Sequence, residues 1–233
     1  MKQILFCGIL VLLFTGCIKE DDPLPLMKFS TFTDSRDNRS YRYLEIGGQT
    51  WMMDNLAWLP AISRSTIGSA TEPHYYVTGY DGSDRTGAVI TQNYITYGVL
   101  YNHPAALTAC PAGWHLPGDK DWKLLSMSQG MSQADADSIG FSLSPVAGAA
   151  LKSKTGWLFD GNGTNTSGFS ALPGGCRSQF TGCYFSGNES YFWTSTENNP
   201  ESAWYRKMVS EFGSIYRYFS DKSEGMSVRC VKN

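Results

Sequence analysis

Four cysteines and three histidines carry most of the chemistry this chain could do. Setting aside Cys7 and Cys17 near the N-terminus, the cysteines are Cys110, Cys176, Cys183 and Cys230. A zinc site would need two of them at C-x₂₋₄-C spacing with a histidine nearby, and neither condition is met. Disulfides are the better reading. Three pairings are possible, and Cys110 with Cys230 and Cys176 with Cys183 is the favoured one. The first closes nearly half the chain, worth about 4 to 5 kcal/mol in the loop-entropy model, and the second staples a short loop worth about 2 to 3. His74, His103 and His115 lie in three unrelated contexts, and His115, between Trp114 and Leu116, reads as a structural histidine.

Catalytic motifs are missing as well. No G-x-S-x-G or H-E-x-x-H occurs, no glycine-rich phosphate loop follows a strand, and Gly168-Phe169-Ser170-Ala171-Leu172 lacks the second glycine of a nucleophile elbow. A non-enzymatic protein without a resident cofactor is expected, calcium being the one metal with a case. Asp160, Asn162 and Asn165 could offer it oxygens, although these are also ordinary turn residues. Asp81-Gly82-Ser83-Asp84 lacks the rest of a calcium loop and reads as a turn. Binding residues are sought where loops carry polar groups beside aromatic rings. The Glu197-Asn198-Asn199-Pro200-Glu201 stretch between two strand-like segments is the candidate, with Glu197, Asn198, Asn199, Glu201 and Trp157 as ligand contacts.

Composition places these residues on one extracellular domain. The chain has 233 residues, 42% hydrophobic, 14% aromatic and only 17% charged, with 24 glycines. One core suffices for this length. A net charge of −2 without a basic stripe gives no grip on phosphates, so nucleic acid is not an expected partner. Lys2 precedes an apolar run from Ile4 to Phe14, too short to span a membrane and right for a signal peptide. Phe14-Thr15-Gly16-Cys17 is similar to the lipobox of bacterial lipoproteins, with Phe14 where Leu is usual. Residues 1–16 are then the signal, Cys17 takes the lipid, and 17–28 form a tether. Several acyl chains, each contributing about 0.8 kcal/mol per buried CH₂, would hold the protein to the membrane. Ile18-Lys19-Glu20-Asp21-Asp22 is similar to the surface-export signal of Bacteroidetes lipoproteins, which implies an outer-membrane protein facing outward. A plain secretory signal and a periplasmic orientation are the alternatives.

The elements that must position the candidates are read from periodicity. Order is expected from Phe29. Tyr41 to Ile46, Gly47-Gly48 and Gln49 to Met52 spell strand, turn, strand. Residues 57–93, rich in Ser, Thr and Gly, read as a long surface excursion. Ala105 to Leu107 reads as a short helix running into Cys110. Pro117 or Gly118 starts a helix that buries Trp122 and Leu125, and Ser132 to Asp135 has capping-box spacing. Val146 to Lys152 predicts a further turn or two of helix, and the glycines at 161, 163 and 168 a tight exposed loop. Residues 190–196, 203–209 and 215–219 read as strands, the last two joined at Gly213-Ser214. Met226, Val228 and Cys230 alternate onto one buried face, which would aim Cys230 at Cys110.

Enough ordered blocks are then in place to resemble a family. Ile46 to Met52 with Asn55-Leu56, Tyr97-Gly98, Cys110 to Pro117 with Trp122, and Leu151-Lys152-Ser153 with Gly156-Trp157 match in order. So do Gly168 to Gly175, Phe192 to Glu197 with Ala203-Trp204, and Val228 to Val231. Together they resemble the Fibrobacter succinogenes major paralogous domain over about residues 35–232, implying one domain over 29–233. The resemblance implies an α+β, C-type-lectin-like fold: a twisted, mainly antiparallel sheet, about two helices and long irregular loops. It implies a surface protein binding a glycan or a protein ligand, with a structural subunit of an adhesin or appendage as the alternative. Leu116-Pro117 and Trp122 are also similar to the formylglycine-generating sulfatase modifiers, a copper and cysteine oxidase reading for which Cys176 and Cys183 would be the reactive pair. Their surroundings do not match that motif, and fold analogy alone does not carry a function across. Gly118 and Asp121 depart from the family's usual Ser or Thr and Glu, so a side-chain cap is missing.

Overall fold

The computed structural model describes residues 28–141, 145–178 and 182–233. The signal peptide, Cys17 and all but the last residue of the tether lie outside these residues. In chain order the elements are β1 (Ser30–Asp34), β2 (Arg39–Ile46), β3 (Gln49–Met52), β4 (Tyr75–Tyr76), α1 (Arg85–Val89), α2 (Gln92–Tyr97), β5 (Leu100–Tyr101) and α3 (His103–Ala109). There follow β6 (Trp114–His115), α4 (Asp119–Ser128), α5 (Gln133–Asp137), β7 (Gly140–Phe141), α6 (Val146–Leu151), β8 (Cys176–Ser178) and β9 (Gly182–Tyr184). The chain ends with β10 (Glu189–Glu197), β11 (Ser202–Val209), β12 (Ile215–Asp221), β13 (Met226–Ser227) and β14 (Val231–Lys232).

Three sheets result. One runs β1-β2-β3-β14-β6, the second β4-β5-β13-β10-β11-β12-β7, and the third is the β8-β9 hairpin. Among the described residues the named strands pair antiparallel except where β13 meets β10, and two isolated bridges, Lys152 with Ala171 and Gly175 with Ser190, are also parallel, so a mainly antiparallel α+β class holds. Among the described residues six short helices stand where the resemblance implied about two; α1 and α2, capped by Asp84 and Thr91, were not expected, and α3, capped by Asn102, is the short helix read before Cys110.

Residues 57–93 are a second correction. Ala57, Leu59, Tyr76, Val77 and Ala88 are each 1% exposed or less, so the excursion is core at intervals. The final segment is a third. Instead of one alternating strand, β13 and β14 belong to different sheets, and residues 226–231 are buried on every side.

The predicted hairpin forms as β2 and β3, with Gly47 and Gly48 both at positive φ, as a two-residue turn of this kind requires. Cys110 and Cys230 are bonded, with Cα atoms 5.9 Å apart. Trp114 and Trp122 are buried, Trp122 packing edge-on against Trp51 and Phe169. The missing cap of α4 is replaced from two directions. Gly118 N donates to Asp121 Oδ2 at 2.7 Å, and Asp119 N donates to Thr196 Oγ1 of β10 at 2.9 Å. Asp119 in turn gathers Arg206, Arg217 and Lys123 at 2.8, 2.8 and 3.1 Å, tying α4 to β11 and β12.

Candidate functional site

Three loops meet where β10 begins and β11 ends. The first, residues 156–163, follows α6. The second, 185–188, follows β9, and the third, 210–214, joins β11 to β12. Leu158 N donates to Gly187 O at 2.8 Å, and Ser210 N donates to Asn188 O at 2.9 Å, so each loop is stitched to its neighbour. Gly161 lies so close to Ser210 that a Cβ at that position would overlap it. Only glycine allows that approach.

Beneath the loops sits Lys152, 3% exposed. Its Nζ donates to the carbonyls of Val209, Ser210 and Phe212, each at 3.1 Å, and stands 4.9 Å from the centre of the Trp157 ring. Burial pushes the Lys152 pKa down, but three carbonyl dipoles and an aromatic face suit its charged form. Trp157 is 5% exposed, with Nε1 donating to Ser153 Oγ and Ala171 O. It is an anchor of the core, not the ligand contact expected from sequence.

The residues that Trp157 and its loop partners hold up are the exposed ones. Leu158 is 52% and Phe159 71% exposed, and Phe185 and Phe212 follow at 47% and 46%. Phe141 of β7 joins them, its ring 5.3 Å from Phe212 and 4.9 Å from Tyr216. Phe159 and Phe185 both occupy the left-handed region, at φ 55° and 63°. Holding an L-residue there costs about 1 to 2 kcal/mol. Phe159, 71% exposed, buries little of its ring in return for that conformation, a combination that suits a binding surface.

The 197–201 loop lies at the far end of β10, whose nine residues span about 30 Å. Its polar groups close the turn on itself. Asn199 Oδ1 accepts from Glu201 N, Ser202 N and Ser202 Oγ, and Asn198 Nδ2 donates to Ser202 Oγ. Lys222 Nζ bridges Glu197 Oε1 and Pro200 O at 2.7 Å, and its hydrogen bond holds the Glu197 carboxyl below its ordinary range.

The calcium candidates are dispersed in the same way. Asn162 Oδ1 accepts from Trp157 N and Asn165 Oδ1 from Ser170 N, while Asp160 is exposed. Among the described residues no three His, Cys, Asp or Glu side chains are grouped to hold a metal. A cavity of about 300 Å³ between α4 and α5 is lined by Asp119, Lys123 and Asp137, which already pair with one another.

The expected Cys176–Cys183 bond is not supported. The β8–β9 register sets Cys176 opposite Tyr184 and Cys183 opposite Arg177, one step out of the direct opposition a cross-strand bridge uses. Cys176 is buried, and the Cys183 side chain lies outside the described residues. His103 is buried, its Nε2 hydrogen-bonded with Thr194 O, and burial lowers its pKa. His115 is hydrogen-bonded with Asn233, and His74 with Ser63.

The Fibrobacter succinogenes major domain matches residues 44–232. This chain belongs to that family. No curated protein and no solved structure matches it. The family's span holds the disulfide, Arg229 and all three loops, so the exposed phenylalanines belong to the domain itself. A local signal for them exists in the sequence: Phe159, Phe185 and Phe212 each stand within two residues of a glycine, in Phe159-Asp160-Gly161, Phe185-Ser186-Gly187 and Phe212-Gly213.

Proposed function

We propose that this protein is a lipid-anchored, outward-facing outer-membrane protein whose domain is a non-enzymatic, C-type-lectin-like binding module. Its ligand is a protein, engaged through the three-loop end. The observation that carries the reading is the pair Phe159 and Phe185, left-handed in backbone and exposed in side chain. Leu158, Phe212 and Phe141, on or beside the same three loops, add exposed apolar side chains of the kind that bury against another protein. A glycan would need convergent hydrogen-bonding groups beside the rings, and the amides of the 197–201 loop are spent within that turn. The lipobox-like Phe14 to Cys17 and the charged residues after it supply the anchor and the outward orientation.

A photo-crosslinking residue at position 159 tests this in cells of the native host. It should trap one reproducible protein adduct that the same probe at Ile90, exposed at 75% and outside the three loops, does not. Identical adducts at both positions, or glycan-array binding that survives Phe159→Ala, would overturn the reading. Cys17→Ser should move the domain out of the membrane fraction.

A further inference from the structure

Arg177 on β8 is wholly buried. Nε donates to Ser65 O at 2.7 Å and Nη1 to Ser223 O at 2.8 Å, and the guanidinium lies 4.7 Å from the centre of the Tyr76 ring. Its remaining nitrogen, Nη2, has no hydrogen-bond partner. Among the described residues no carboxylate forms an ion pair with this cation. A second unmet donor lies on a residue that Arg177 already holds: Ser223, whose carbonyl receives Nη1, is itself buried, and its hydroxyl also lacks a partner. A buried donor left unpaired is costly, and two on residues bonded to each other point to a missing acceptor.

The cover over this pair is thin. Gly68, exposed to solvent, lies against the guanidinium, where a Cβ would come within 2.6 Å of Nη1 and 3.0 Å of Nη2. The chain is fastened on either side of it. Tyr76 Oη donates to Ile67 O at 2.8 Å, and Asn102 Nδ2 donates to Ser69 O at 2.8 Å. The cover is thus one residue of backbone without a side chain, and the hydrogen bonds at Ile67 O and Ser69 O are what must break for it to lift.

We propose that Arg177 Nη2 and Ser223 Oγ form a carboxylate-binding site, opened by displacement of the Gly68 turn and distinct from the three-loop surface. The carboxylate accepts from both donors while Nε and Nη1 keep their backbone carbonyls, so the guanidinium is already oriented when the ligand arrives. His74 stacks on the same Tyr76 ring at 6.3 Å and is hydrogen-bonded with Ser63, which adds a second polar edge to the site.

The test follows the Arg177 Nε–H cross-peak of ¹⁵N-labelled protein during titration with D-galacturonate and with N-acetylglutamate. Galacturonate methyl ester and N-acetylglutamine serve as neutral partners. A saturable shift with one or both carboxylates and none with the neutral forms supports the site, and which of the two binds tells an acidic sugar from an acidic peptide. Ser223→Ala should weaken binding about five-fold, the loss of one net hydrogen bond, and Arg177→Gln should abolish it. No shift with either carboxylate, an equal shift with the neutral forms, or unchanged affinity in Ser223→Ala overturns the proposal. The parent titration and Ser223→Ala decide the matter even if Arg177→Gln fails to fold.

Discussion

The core around Arg229 and the loop end around Phe159 treat unfavourable groups in opposite ways. Arg229 is a fully buried cation, and burial pulls its pKa down to about 9 against the pull of nearby Asp54. Every nitrogen of its guanidinium is met. Nε donates to Asn55 Oδ1, Nη1 to Phe169 O and Nη2 to Ser170 O, and the Phe169 ring lies 4.2 Å away. The penalty of burial is thereby converted into a joint among the approach to β14, the Asn55 turn and the loop that carries Phe169 and Ser170. At the loop end the left-handed backbone of Phe159 and Asp160 closes a turn in which Gly161 N donates to Leu158 O at 3.0 Å, while the Phe159 ring is left 71% exposed. A cost that the fold absorbs marks architecture, and a cost that it leaves open marks a surface kept for something else.

The largest effect should come from breaking the satisfied side. Arg229→Met removes the cation but leaves Asn55 Oδ1 and the carbonyls of Phe169 and Ser170 buried without donors. The loss is on the order of 4 kcal/mol, since each unmet group costs about 1 to 3. Phe159→Ala, an exposed substitution that keeps the backbone conformation, should stay within about 0.5 kcal/mol. Urea unfolding of both variants measures the contrast. Comparable losses would mean that the Phe159 ring is a packing element and that the distinction drawn here is false.

A smaller effect, in pH, separates a second satisfied cluster, the ion pairs of Asp119, from the loop end. Burial pushes the Asp119 carboxyl up, but the hydrogen bond from Arg217, the charge and hydrogen bond of Arg206 and the bond from Lys123 outweigh it and hold it well below its ordinary value of 3.8. With a depressed folded pKa, the stabilisation is fully present above the unfolded value and is lost as pH falls below about 4. Acid should therefore loosen the junction of α4 with β11 and β12, leaving Arg206 buried beside a neutral acid. Asp119→Asn should flatten that acid limb in thermal melts. The loop end holds Lys152 by carbonyls, which do not titrate, so its local order should follow global unfolding without an acid step of its own. An acid limb unchanged in Asp119→Asn would assign the transition elsewhere.

Much of the frame was legible because its signals are local or come in runs. Gly47-Gly48 between alternating segments, Pro117-Gly118 before Trp122, Ser132 before Asp135, and the β-formers of β10 to β12 each specify an element within a few residues. The Cys110–Cys230 bond followed from the buried face of the last segment, although that segment turned out to serve two sheets. Residues 57–93 are harder to read because their core contributions are scattered, a short buried run at Tyr75 to Thr78 and isolated side chains such as Leu59 and Ala88, and no period links them. The surroundings of the candidate site residues are less legible for a related reason. Rings were assigned to the core or to ligands by type, yet Trp157 is buried and its neighbour Phe159 is not, a difference set by the left-handed turn after Leu158. Polar loop residues look open to a ligand in sequence, whereas Asn162, Asn165 and Asn199 accept backbone N–H groups with their amide oxygens.

The finest test of the comparison changes backbone freedom at one position. In Phe159→Gly the left-handed conformation no longer carries the penalty of a Cβ, a relief of about 1 to 2 kcal/mol. Glycine's greater freedom in the unfolded chain takes back about 0.5 to 1 kcal/mol of it. A net gain of about 0.5 kcal/mol remains, which for a domain of this size raises the melting temperature by one or two degrees. The ring is lost at the same time, so a protein adduct trapped from a probe at Phe212 should weaken in the Phe159→Gly background while the fold becomes more stable. Stability and binding moving in opposite directions is the signature of strain maintained for a partner. A melting temperature that instead falls by several degrees would show that the Phe159 ring supports the loops, and the three-loop end would then be of the same kind as the Arg229 core.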